Sequence, residues 1–282
     1  MKPRIYLSII TLLLSSTMLL AQKAEKIKGS KVVTSTTKEV KAFNAIEIED
    51  NIEINLEKGD KNEIKIEADD NLHDIITLNV QDDILMIATS KEAQGFKKLS
   101  VTITYTNDLN LVTTKDESVV NAIQEIVLDN ITFKTFDRSK LFLNVNSKNF
   151  ILQANDKSKT ELNLKGEISF IELSKNAALK ALINSTDVKC DLYQKATATI
   201  EGDANNTNLR LNNSAALNAR NFNSKNTDVT LEESASCNLF AENNIIIDAT
   251  DKTEIELYGN PKIEIRKLAG EAKLFKKPAS KK

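Results

Sequence analysis

Apolar residues return at every second position along most of this chain, and polar clusters interrupt the alternation at short distances. From Glu39 the pattern gives Phe43, Ile46 and Ile48, then Ile52, Ile54 and Leu56, then Ile64, Ile66 and Ala68, split by Glu49-Asp50-Asn51 and by the stretch Lys58 to Asn62. Ile75 to Val80, Ile84 to Ala88 and Leu99 to Tyr105 continue the series, with Gln81-Asp82-Asp83 and the charged loop Ser90 to Lys98 between them. Alternation over runs this short predicts consecutive strands joined by turns. No segment carries a long helical stripe.

From Lys115 to Leu268 the alternation acquires a second period. Ser118, Ser139, Ser158, Ala177, Ala196, Ser214, Ser234 and Thr253 each open a new apolar run, at gaps of 21, 19, 19, 19, 18, 20 and 19 residues. Each unit reads as a first strand (Leu141, Leu143, Val145), a polar turn (Asn146 to Asn149) and a second strand (Ile151, Leu152). A fixed period of this length marks a solenoid, whose units bury their apolar faces only by stacking. Two strands in about 19 residues make one coil of a parallel β-solenoid, rising about 4.8 Å per coil. The pair before each anchor is polar, as in Asp137-Arg138 and Asn212-Asn213; Asn and Asp tolerate left-handed turn angles.

The ends of the chain read differently. Lys2 and Arg4 precede an apolar run, Ile5 to Leu20, and a small residue, Ala21. That order predicts a secretory signal over residues 1–21, a retained anchor being the other reading. Residues 22–38 are rich in Lys, Ser and Thr and are expected to be a flexible lead. Residues 39–112 then form the first strands, 113–268 the repeats of the same domain, and 269–282 a basic, disordered tail. Around that tail Lys267, Lys273, Lys276, Lys277, Lys281 and Lys282 stand against Glu271 alone, an electrostatic attraction to anionic lipid or glycan being the alternative to a frayed end.

Charge and composition narrow the function. The net charge of −2 becomes more negative once Lys2 and Arg4 are removed, which argues against nucleic acid. Aromatics are 5% and Trp is absent, so thin stacked layers suit the composition better than a large globular core. Seven glycines exclude the Gly-rich calcium solenoids.

Candidate chemistry is sparse. The one His, His73, lies in Asp69-Asp70-Asn71-Leu72-His73-Asp74, where an imidazole beside carboxylates could hold a metal or move a proton; a solvated loop is the plainer reading. Asp137 with Arg138, Asp156, and Glu201 with Asp203 would form a catalytic carboxylate set only if they shared a turn. Asparagines crowd the stretch from Asn205 to Asn226, at 205, 206, 208, 212, 213, 218, 221, 223 and 226. Stacked amide ladders explain them, with a glycan-binding patch as the alternative. Cys190 and Cys237 fall on different strands of different coils, about 10–15 Å apart along the axis, too far for a disulfide. Two free, buried thiols are expected. No catalytic, metal or cofactor residues are assigned, and the ligand-binding residues stay open.

Three stretches carry a family resemblance: Phe43-Asn44-Ala45-Ile46-Glu47-Ile48, Glu67-Ala68-Asp69-Asp70-Asn71-Leu72 and Ile255-Glu256-Leu257-Tyr258-Gly259-Asn260-Pro261. With the short-period repeats, they resemble the head GIN domain family of auto-transporter adhesins, exported proteins common in Bacteroidetes, over about Val40 to Ile265. The Gly-Ser-Gly turns of that family are replaced here by turns such as Asp137-Arg138-Ser139. The resemblance implies an all-β, right-handed parallel β-helix of pectin-lyase-like shape, no known enzyme activity, and a role in adhesion or cell-surface assembly. The expected partner is a surface glycan or an envelope protein, in the periplasm, on the outer membrane or outside the cell. A polysaccharide-active enzyme and an envelope scaffold are the alternatives.

Overall fold

The structure, a computed structural model that describes residues 25–122 and 124–278, is a parallel β-solenoid. The signal expected at 1–21 lies outside the described residues. Successive coils are the strands Lys140–Ala154, Lys159–Leu173, Ala178–Leu192, Thr197–Leu211, Ala216–Leu231 and Ser236–Ala249. Parallel register carries each position onto its like: Leu143 pairs with Leu162, Leu162 with Ala181, and Ala181 with Ile200. These rows fill the interior, and burying one Leu, Ile or Val side chain is worth about 1.5–3 kcal/mol. Phe133 and Phe150 meet across two neighbouring rows, ring centroids 6.1 Å apart.

The polar turn expected between two short strands is a bend inside one continuous strand. In Lys140–Ala154, Leu141, Leu143, Val145 and Ser147 are buried, Lys148 and Asn149 are both exposed, and Phe150, Leu152 and Ala154 are buried again. Two successive outward residues reset the alternation, so both halves face one core while ladder pairing runs on through the corner, Ser147 to Gly166 and Asn149 to Ile168. Inside the corner stands a second small-residue column, which includes Ser147, Gly166, Ser185 and Ala204. The Ser147 hydroxyl donates to the Asn149 carbonyl at 3.0 Å, and Ser224 to Asn226 at 3.0 Å.

The anchor column is real, with two members corrected. Ser214 and Ser234 are exposed, and Ala215 and Ala235 are the buried residues in line with Ala196 and Thr253. The reason is backbone handedness two residues earlier: Asp116, Asp137, Asp156, Lys175, Gln194, Asn213, Glu233, Asp251 and Gly270 all have φ between 56° and 71°. This left-handed residue, one member of each polar pair, sets the phase of the turn. Each turn is tied to its neighbour by backbone bonds such as Lys157 N–H to Asp137 O at 2.7 Å. Side chains continue the column, because the N–H of Lys175 donates to Gln194 Oε1 at 2.7 Å and that of Gln194 to Asn213 Oδ1 at 3.3 Å. Where the anchor is Ser its hydroxyl donates to the carbonyl three residues back, as from Ser139 to Phe136 at 2.6 Å. The 20-residue gap from Ala215 to Ala235 follows from a register shift that sets Gly202 opposite Phe222. Gly202 has φ 111°, and a β-carbon there would lie 2.1 Å from the Ile183 carbonyl oxygen.

Towards its start the solenoid changes from parallel to antiparallel. On one face Glu53–Lys58 pairs in parallel with Leu99–Tyr105, which is antiparallel to Glu63–Asp69, itself antiparallel to Val33–Glu39. On the other, Ala45–Ile48 pairs in parallel with Ile84–Thr89, which is antiparallel to Ile76–Gln81. The flexible lead expected at 22–38 is therefore largely ordered, with Lys26–Lys28 on Glu92–Gln94 and Val33–Glu39 as an edge strand. Its side chains in Val33–Glu39 are all exposed, so it carries no apolar alternation to read. At the far end Lys273–Lys276, expected in the disordered tail, pairs with Glu254–Leu257; residues 279–282 lie outside the described residues.

Two substitutions test this account by urea unfolding. Gln194→Asn keeps an acceptor for Lys175 N–H and suits the left-handed backbone, so it should stabilise by about 0.5–1 kcal/mol. Gly202→Ala should destabilise by more than about 2 kcal/mol, since it adds strain at positive φ to a clash with backbone.

Candidate functional site

Three places collect the residues singled out by sequence. The first is the cap. Residues Asp70–Ile75 form a 3-10 turn, not a solvated loop, with Leu72 and Ile75 buried beneath it. His73 lies against the edge strand, Nε2 2.9 Å from Thr34 Oγ1 and Nδ1 3.2 Å from Thr36 Oγ1. Asp69 is the carboxylate the cap is built around. It is fully buried and accepts from the N–H groups of Lys31 at 2.8 Å, Lys97 at 3.0 Å and Lys98 at 3.0 Å. Burial pushes its carboxyl up, but the Lys98, Lys31 and Lys97 amides and the nearby Lys31 charge outweigh this and hold it below the ordinary carboxylate value. Asp69 thus ties the first ordered segment and the 97–98 loop to the solenoid.

The second place is the left-handed corner. Asp137 and Asp156 do share this column, together with Asp116, while Glu201 and Asp203 lie on the strand Thr197–Leu211, away from it. The corner carboxylates are occupied: Asp137 Oδ2 accepts Asp116 N–H at 3.1 Å, and Asp116 Oδ2 accepts Asp50 N–H at 3.0 Å. Lys175 Nζ stands 2.6 Å from Asp156 Oδ1, and Arg138 2.7 Å from Glu117. The Lys175 hydrogen bond is the largest of the influences that hold the Asp156 carboxyl below its ordinary value. Glu201 and Asp203 accept from Asn221 and Asn223. Among the described residues no group of three or more His, Cys, Asp or Glu is placed to hold a metal ion.

The third place is the sheet face beyond the corner bend. Ile168, Asp187, Asn206, Asn226 and Asn244 form one outward row, and Phe170, Lys189, Asn208, Asp228 and Ile246 a second. Between them runs a groove of about 620 Å³ floored by Ser169, Val188, Thr207 and Thr227. The first row is an amide ladder: Asn206 Nδ2 donates to Asp187 Oδ1 at 2.8 Å, Asn226 to Asn206 at 3.1 Å, and Asn244 to Asn226 at 2.9 Å. Each internal Asn spends one N–H and one lone pair on the ladder, which leaves a donor and an acceptor for the groove. Of the other asparagines in the 205–226 stretch, Asn212 and Asn213 donate to Glu232 and Glu233 at the corner. The ladder was readable from the sequence. The apolar flank of Phe170 and Ile246 was not, because it pairs residues far apart in the chain. Lys189 Nζ lies 5.0 Å from the Phe170 ring centroid and brings a charge to that flank.

Cys190 and Cys237 are free and fully enclosed. Cys190 sits between Ile171 and Leu209 in one inward row, and Cys237 between Leu217 and Ile255 in another. Burial raises both thiols well above their ordinary value, with the Asp191 charge adding to this at Cys190.

The geometry defines a β-solenoid, capped at one end, whose polar ladders face solvent. The chain belongs to the family described as putative auto-transporter adhesin, head GIN domain, whose model matches residues 42–261. Among solved structures it is similar to a putative adhesin from Parabacteroides merdae, at 16% identity and TM-score 0.64 over 89% of this chain and 98% of that one. A putative lipid binding protein from Parabacteroides distasonis matches at 12% identity and TM-score 0.66, over 89% and 98%. A putative adhesin from the same species matches at 20% and 0.58, over 89% and 99%. No curated protein matches.

The thiols should resist alkylation in the native protein and react only at the rate of unfolding, as measured by mass-shift labelling with and without urea. Asp69, with its lowered pKa, contributes stability that is full above the unfolded carboxyl value of about 3.9 and is lost as pH falls through its folded pKa. Asp69→Asn should therefore be less stable at neutral pH, and its deficit in urea midpoint should shrink on acidification.

Proposed function

We propose that this protein is an exported, non-catalytic binding module that lays a linear, polar polymer, a cell-surface glycan, along the groove beside the Asp187–Asn206–Asn226–Asn244 ladder. The observation that carries this reading is the repetition of the site. Donors and acceptors recur at the coil spacing of about 4.8 Å, as units recur along a polymer, and Phe170 and Ile246 put apolar surface at the two ends of the facing row. Membership in a family of adhesins supports a surface role. Engagement of the ladder residues in one another, and of the corner carboxylates with backbone N–H groups, favours binding over bond cleavage.

Glycan-array binding by the mature protein tests it. Asn206→Ala with Asn226→Ala should weaken retention about tenfold, for two hydrogen bonds of about 0.5–1.5 kcal/mol each, and Phe170→Ala should weaken it as well. Absence of any retained glycan, or retention indifferent to these changes, would remove the groove from the function. Release of shortened sugars would point instead to a polysaccharide-active enzyme.

A further inference from the structure

The two ends of the solenoid are finished in opposite ways. The capped end presents Val33–Glu39, whose exposed side chains are mostly Thr, Ser, Lys and Glu. The other end stops abruptly at Lys262–Leu268 and Lys273–Lys276. Ile263, Ile265 and Leu268 continue the interior rows of Ile245, Ile247 and Ala249. Those three are fully buried, whereas Ile263, Ile265 and Leu268 are 39%, 48% and 45% exposed. Leu274, on the last strand, continues the interior row of the fully buried Ile255 and is itself only partly buried. A solenoid needs a polar cap at each terminus for solubility, and this terminus has an open core.

Its charge says what covers it. Between Lys262 and Lys277 stand Lys262, Arg266, Lys267, Lys273, Lys276 and Lys277, against Glu264 and Glu271. Lys262, Lys267 and Lys273 have no ion pair among the described residues. We propose that this end docks upright on an anionic lipid surface. The lysines meet headgroup phosphates, the N–H groups along the free strand edge find phosphate oxygens, and Ile263, Ile265, Leu268 and Leu274 rest at the acyl boundary. Open strand edges cannot enter hydrocarbon, so the contact is interfacial and electrostatic. A second copy stacked end to end would set this basic rim against its like, and stacked head to tail would press the open core onto the polar edge strand.

Flotation of the full chain with vesicles of phosphatidylcholine alone, or in equal parts with phosphatidylglycerol, tests the proposal. Binding is expected only to the anionic vesicles and should fall with added salt. Lys262→Ala, Lys267→Ala and Lys273→Ala together should reduce it roughly a hundredfold, at about fivefold per lysine. Leu274→Ser with Ile265→Ser should weaken it at unchanged circular dichroism, and Lys140→Ala with Lys159→Ala, on a side face, should leave it intact. Equal binding to neutral vesicles, no binding to either kind, or an unaffected triple variant would overturn the proposal. So would a dimer by light scattering that Ile265→Glu dissociates.

Discussion

Everything in this molecule depends on parallel register between one coil and the next. Because residue n hydrogen-bonds beside its counterpart about 19 positions on, a side chain's closest neighbours are others of its own row. The interior is therefore a bundle of columns, each with its own size requirement, rather than one jigsaw. The tightest columns stand at the corners. There Ser, Ala or Thr recurs, and the residue two positions earlier takes a left-handed backbone that most side chains resist. Lys175, Gln194 and Glu233 take it nonetheless, because interchain-like ladder bonds on both sides over-determine the turn.

The same register that builds the core builds the surface. An outward Asn repeated at coil spacing becomes a ladder, its amides satisfying one another while keeping capacity for a ligand. Carboxylates repeated at the corner become acceptors for backbone N–H groups. A stacked architecture is thus well suited to presenting extended, periodic recognition surfaces.

Much of this was legible in the chain. Period-two alternation with a period near 19 specifies a parallel solenoid, and the placement of Cys190 and Cys237 on separate rows followed from counting alone. The anchors at Ser214 and Ser234 were misplaced by one residue, since Ser and Ala are both small and only the backbone angle at Asn213 and Glu233 distinguishes them. Val33–Glu39 escaped notice because an edge strand exposed along its whole length carries no burial pattern. Asp69 was grouped with His73 by proximity in sequence, whereas its partners Lys31, Lys97 and Lys98 lie 28 to 38 residues away.

What the sequence determined by itself was therefore local and periodic: which residues face inward, how long a coil is, and where small side chains must recur. Those features follow from the two-residue period of a strand and from the demand that like stack on like. Tertiary structure alone decided how one end is capped and the other left open, which rows flank the groove, and what the buried carboxylate holds. These depend on antiparallel crossings and on pairs of rows brought side by side by the bend, and neither leaves a fixed spacing in the chain.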